Sequence, residues 1–246
     1  MRSLTTTFRI LLLSLSVLLC PAVAPAQQPL FNLYAHVLVG GSYLTENYRS
    51  CFHEISDLNT VMGPAGGLGV GVRFNLRSFL GLGTELNFTR NSDKMDIAVV
   101  GDDNRSVSNV FQRNVYWRLD IPVYLSYITR FGAKVEWNVD AGLYYAYGTG
   151  GSQKNNIYHT TTNDLGQLMM SMTSYDTGFY NDPKAFINYY RRGDIGLHLA
   201  TGLTFASHLR VGVRAHIGMS NAARTTGIVR PKCHNMDFMA MLGWMF

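Results

Sequence analysis

The sequence predicts an all-β protein: a transmembrane, antiparallel up-and-down β-barrel of about eight strands. Three observations lead there. Eight stretches alternate apolar and polar residues at the two-residue period of a strand. The connections between them run short, long, short, long, as tight turns on one membrane face and larger loops on the other require. The polar faces are rich in Gly with charges of both signs, which suits a narrow lumen where side chains must fit past one another.

The N-terminal segment reads as a leader. Arg2 and Arg9 give a positive region before a short apolar run, Ile10 to Leu19, and Ala24-Pro25-Ala26 supplies small residues for cleavage. The expected division is 1–26 signal peptide and 27–246 outer-membrane β-barrel. A membrane anchor is the competing reading, but the run is short and Pro21 and Pro25 follow it. Lipidation through Cys20 is disfavoured by bulky Leu19 before it. No later stretch reaches the roughly eighteen apolar residues of a spanning helix. Charged residues make up only 15%, and loss of Arg2 and Arg9 lowers the formal charge from +5 to +3, so nucleic acid is not an expected partner.

Each strand follows from its alternation. The first, Phe31 to Leu44, places Leu33, Val37 and Val39 on one face. The second, Gly66 to Phe74, sets Leu68, Val70 and Val72 against Gly67, Gly69 and Gly71. After the turn Asn75 to Ser78, the third places Leu82, Leu86 and Phe88 outward and Glu85 and Asn87 inward. The fourth, NVYWRLDIPVYLSYI, sets Trp117, Leu119, Ile121, Val123 and Leu125 against Tyr116, Arg118, Asp120 and Tyr124. Pro122 cannot donate to a ladder, so a local bulge is expected there. The fifth runs from Val135 to Tyr145, with Glu136, Asn138 and Asp140 inward. The sixth carries Asp194 and His198 inward, the seventh Arg210, Arg214 and His216. The eighth is MDFMAMLGWMF, ending on Phe246.

A soluble β-sandwich also alternates. Its polar face would meet water and be rich in Lys, Thr and Ser, which these faces are not. Aromatics also fall at both ends of the strands, with Trp137, Trp244 and Phe246 near the turns and Phe88, Trp117 and Tyr145 near the loops. Those are the places of two interfacial girdles.

At RLDIPVYLSYI, KVEWNVDAGLYYAY, RRGDIGLHLATGLTF and MLGWMF, the chain resembles the PorT-like outer-membrane barrels common in Bacteroidetes. Asp120-Ile121-Pro122, Gly142, Asp194-Ile195-Gly196 and Phe246 carry the likeness. It implies the fold and an outer-membrane address, and its best-known member serves a protein-secretion apparatus. No motif here transfers that role.

The lumen candidates are Arg73, Glu85, Arg118, Asp120, Glu136, Asp140, Asp194 and Arg214, beside His198 and His216. A His with a carboxylate could serve as a general base, and some small barrels modify lipid. Buried charges in a narrow barrel more often pair to satisfy one another. A structural charge network and no enzymatic activity are therefore expected, with no cofactor and no metal. The long connections are Thr45 to Gly63, Asn91 to Val110, Gly148 to Tyr190 and Ser220 to Asn235. The third holds Phe179, Tyr180, Phe186, Tyr189 and Tyr190, which either form a recognition surface or cap the mouth. Cys51 and Cys233 lie in the first and last loops, neighbours once the barrel closes, and a disulfide is expected between them.

The expected function is a non-enzymatic outer-membrane barrel whose extracellular loops bind a ligand or brace the envelope. Both termini would be periplasmic. The alternatives are a lipid-modifying enzyme and an accessory of a secretion apparatus. Expected partners are outer-membrane lipid and envelope or secretion proteins. The assignment predicts all-β circular dichroism in detergent and a gel band that shifts on boiling. A leader-free protein that stays soluble without detergent would contradict it.

Overall fold

The computed structural model describes residues 29–101, 106–132, 134–180, 182, 190–224 and 231–246. The expected leader, residues 1–26, lies outside them, as do Phe186 and Tyr189. Nine strands stand among the described residues: β1 Phe31–Glu46, β2 Ile55–Arg77, β3 Leu80–Val100, β4 Ser106–Phe131, β5 Val135–Thr162, β6 Leu168–Gly178, β7 Gly193–Phe205, β8 Leu209–Gly218 and β9 Cys233–Met245. A single helical turn, α1 Tyr48–Cys51, follows β1.

Eight of the strands form the ring. Its order is β1, β2, β3, β4, β5, β7, β8, β9, and β9 returns to pair with β1. Every pairing is antiparallel. Closure leaves the wall without a free edge, the condition for a sheet to stand in hydrocarbon. Outward side chains form an apolar belt, with Leu68 64% exposed and Leu143 55%, while Tyr34 on the opposite face of its strand is 2% exposed. Apolar grooves of the wall, such as the one lined by Val37, Leu68, Val70, Leu86 and Leu242, therefore lie where lipid chains would pack. Phe88 and Trp117 stack at 5.3 Å at the loop-side rim. Exposed Trp244 and Phe246 stand at the turn side.

The inward glycines make room for rings. A Cβ at Gly71 would overlap the Tyr34 ring, one at Gly83 the Tyr124 ring, and one at Gly196 the Tyr144 ring. The turn after β7 is tight. The His208 N–H donates to the Phe205 carbonyl at 3.0 Å, and Ala206 and Ser207 hold φ of 48° and 65°. That is the left-handed pair of a hairpin turn whose twist matches the strands.

Two expectations change. Pro122 sits in unbroken register opposite Tyr144. The irregularity lies between Trp117 and Arg118, opposite Gly148 and Gly150, where β5 carries an extra residue, Thr149. The proline instead leaves Glu85 and Leu86 of β3 without partners in the β3–β4 ladder, while Thr84 donates its hydroxyl to the Pro122 carbonyl at 2.9 Å. Much of the expected loops is also strand. β2, β3, β4 and β5 run on past the belt as one sheet, and β6 joins β5 there. Polarity inverts on leaving the belt. Met95, Ile97, Val110, Ile55 and Tyr48 pack inward as a small apolar core, while Lys94, Arg113 and Lys154 face out.

Replacing Gly71 with Val should destabilise the barrel by about 1–3 kcal/mol, because the added atoms meet a packed ring. The loss should be smaller when the same change is made in a Tyr34→Ala background, where the ring it meets is gone. Urea unfolding in detergent micelles, followed by tryptophan fluorescence, measures both, and a stability-neutral Gly71→Val would contradict the packing.

Candidate functional site: the lumen and the mouth

The lumen is organised in levels, each closed by side chains from several strands. Near the turns, Arg73 and Arg130 share Glu136 at 2.5 and 3.1 Å. Above them Arg210 pairs with Asp140 at 2.9 Å, and Asp140 also accepts from Ser126 and Asn138. Glu85 accepts from Tyr34 at 2.7 Å, Tyr124 at 3.3 Å and Asn87 at 3.1 Å. Tyr34 and Tyr124 meet through their hydroxyls, and the Arg210 guanidinium lies 4.7 Å over the Tyr34 ring.

The middle level is aromatic. His198 Nδ1 and His216 Nε2 stand 2.8 Å apart. Tyr124 stacks on His198 at 5.0 Å and Tyr144 on His216 at 4.4 Å. Arg214 departs from the expected pairing. Its Nη2 meets only the Met239 sulfur, at 3.6 Å, and no ion pair joins it to a carboxylate among the described residues.

The third level is a knot around Arg118. Its Nε reaches Asp120 at 3.1 Å, its Nη2 Asp237 at 2.9 Å and its Nη1 Asp194 at 3.8 Å. These groups come from β4, β7 and β9, so one guanidinium ties three parts of the wall across the lumen. Most of the remaining carboxylate oxygens are also used, Asp237 Oδ1 being the exception. Asp194 accepts from Tyr144, Asn235 and Ser220, and Asp120 accepts from Thr89. All four charged side chains are at most 3% exposed.

Above the knot the mouth is capped. Tyr116 stacks on Phe179 at 4.2 Å, Phe179 stacks on Tyr190 at 4.4 Å, and Leu44, Ala222, Ala223 and Cys233 complete the cluster. Tyr180 packs against it, with Arg192 5.6 Å over its ring. Phe179 and Tyr190 are each 2% exposed, so these two close the mouth and present no recognition surface. The expected disulfide is absent. Closure of the barrel does bring Cys233 level with Glu46, but Cys51 lies further on, on α1. Its thiol faces Asn47 Oδ1 at 3.6 Å, while Cys233 is buried in the cap, and no disulfide joins them.

Beyond the cap, the inner face of the extension carries a chain of amides. Thr177 and Asn155 donate to Gln153, Gln153 and Gln112 donate to Asn114, and Asn114 donates to Asp93 at 2.7 Å. Asp237 and Tyr34 are the functional side chains missed from sequence, while Arg210 and Tyr124 are placed inward but not counted in the network. Asp237 stands at an inward position between Met236 and Phe238, so alternation alone marks it. Alternation turns Arg210, Tyr116 and Tyr124 inward without marking them as members of the network, and it gives Tyr34 and His36 no role. Among the described residues no three His, Cys, Asp or Glu side chains converge as a metal site would need.

Removing the Arg118 side chain leaves three carboxylates without their cation. Arg118→Ala should destabilise the barrel by about 3–5 kcal/mol, whereas Arg130→Ala, at a half-exposed pair, should lose no more than about 1 kcal/mol. The temperature of the boiling-induced gel shift reports the difference. Asp93 lies five residues past the Phe88 girdle, and burial lifts its carboxyl to about 7. The folded extension therefore holds a proton that the unfolded chain releases near pH 4. That contribution to stability is present at low pH and is lost as pH rises from about 4 to about 7. Protease cleavage within residues 91–100 should become faster across that range, and Asp93→Asn should abolish the dependence.

A model of the outer membrane protein β-barrel domain matches residues 11–246. Among solved structures, the chain is similar to Ail, the attachment invasion locus protein of Yersinia pestis, at 10% identity, covering 88% of this chain and 97% of that one with a TM-score of 0.35. It is similar to OprG of Pseudomonas aeruginosa at 12% identity, covering 88% and 95% with a TM-score of 0.37. No functionally curated protein matches. With nearly its whole length matched by the family model and its eight strands closing in a ring, the chain belongs to the outer membrane protein β-barrel domain family.

Proposed function

We propose that this barrel is closed and non-enzymatic, and that its working part is the sheet it raises beyond the outer membrane. The observation that carries the reading is the filled lumen: the Arg118 knot and the aromatic cap above it leave a continuous plug of side chains. A barrel of eight strands has an interior just wide enough for side chains to fill.

The termini lie on the tight-turn side, which is the periplasmic side in barrels of this kind, so the sheet faces outward from the cell. Catalysis has little support. His216 and Asp237 stand 3.5 Å apart, as a general base and its orienting carboxylate would. Both are sealed inside, and the Nε2 of His216 is engaged by His198, so no face is left for a substrate. Affiliation with the PorT-like branch rests on Asp120-Ile121-Pro122, Asp194-Ile195-Gly196 and the terminal strand. Envelope or surface proteins are the partners that a raised sheet suits best.

Single-channel recording in planar bilayers tests the reading. The expected trace is silent. Steady conductance of general-porin size would refute it.

A further inference from the structure

Beyond the lipid belt, β5 is paired on both edges, with β4 on one side and β6 on the other. β6 pairs only with β5 among the described residues. Its second edge is therefore a row of backbone N–H and C=O groups open to water. Natural sheets blunt such edges with Lys, Pro, a bulge or a covering loop. The sequence of β6, LMMSMTSYDTG, contains no Lys, Arg or Pro, and its register with β5 is unbroken. Its one charged residue, Asp176, stands at the base and pairs with Lys154 at 3.7 Å.

The edge is also apolar. Leu168 and Met170 are each 75% exposed, Met169 61% and Met172 57%. Leu168, Met170 and Met172 share one face by strand parity. On that face Tyr158, opposite Met172, meets Phe111 edge-on at 5.6 Å. The strand is held in place by a built turn. Asn163 Oδ1 accepts from the Leu165 and Gln167 N–H groups at 3.0 and 2.8 Å, and Gly166 supplies φ of +73°. An edge already ordered loses less entropy when it binds.

We propose that the free edge of β6 is a docking site for an extended polypeptide segment of another protein, added as a further strand with apolar residues at alternate positions. The inference rests on the closed-barrel reading above. Only a polypeptide offers donors and acceptors at the strand repeat, and Leu168, Met170 and Met172 select its alternate side chains. A second copy in the same membrane does not fit. Antiparallel pairing of two identical edges needs a two-fold axis perpendicular to the sheet. The sheet continues the barrel wall, so that axis lies in the membrane plane and would point the second copy's loops into the periplasm.

The test uses the full-length protein in lipid nanodiscs. The probe is a fluorescent synthetic peptide of alternating valine and threonine, with lysines at its end for solubility. Saturable binding is expected, with slowed amide exchange at Ser171–Tyr175. The double variant Met170→Lys, Met172→Lys should weaken binding by at least about tenfold, since edge lysines oppose strand addition. A peptide N-methylated at alternate residues should lose binding to the unaltered protein, which keeps the test decisive if the lysine variant misfolds. Equal binding of the N-methylated peptide would mean apolar adhesion without strand pairing and would overturn the proposal. So would the absence of saturable binding, or a dimer in nanodiscs that the lysine variant dissolves. A silent barrel that ignores the peptide sinks only this inference, whereas a conducting barrel sinks the closed-lumen reading whatever the peptide does.

Discussion

The guanidinium of Arg118, buried among Asp120, Asp194 and Asp237, is the contact on which the packing of the lumen depends. Charges inside a lipid-embedded wall are costly unless they are paired and their remaining lone pairs are used. The pairing is made, and every carboxylate oxygen of the knot but Asp237 Oδ1 has a partner. The three carboxylates come from β4, β7 and β9, and Tyr144, Asn235, Ser220 and Thr89 take further oxygens. The knot therefore couples strands far apart around the ring, and it forms a floor on which the Tyr116, Phe179 and Tyr190 stack can rest.

The glycine stripes are the other half of this packing. Large rings face the lumen at Tyr34, Tyr124 and Tyr144, and each lies over a glycine of a neighbouring strand. In an apolar core, such a pairing of large with small would be a matter of volume. Here it also decides chemistry, because the same rings bring hydroxyls to Glu85 and Asp194. A lumen filled in this way supports a wall that carries other functions better than one that conducts.

Above the lipid the chain changes solvent, and its pattern changes with it. Within the belt, apolar residues face out and polar ones in. Beyond it, Met95, Ile97 and Val110 turn inward and Lys94 and Arg113 face water. The backbone runs straight through this inversion in β3, β4 and β5, so one continuous sheet is a membrane wall below and a soluble protein's sheet above. The largest departure among the described residues is β6, whose methionines and leucine are more exposed than Val107 or Phe111 of the same sheet.

Alternation with apolar residues outward was enough to place all eight wall strands, because lipid imposes one sign of pattern along every one of them. It also placed the inward charges, since strand parity assigns a face to each residue: Arg118, Asp120, Asp194 and Glu85 were legible for that reason. Partners were not. Asp237 and Arg118 are 119 residues apart, and only the closing of β9 onto β1 brings their strands across one lumen. The extension was hidden because its pattern reverses sign, so Asn91 to Val110 read as loop although it alternates. The fate of the cysteines turned on a few residues of displacement. Ring closure does bring Cys233 level with Glu46, but α1 carries Cys51 past that point and turns its thiol to Asn47. By itself the sequence determined the wall, because solvent acts on each residue separately. The tertiary structure decided which charges meet, what caps the mouth and which edge stays open, because those depend on where distant strands close.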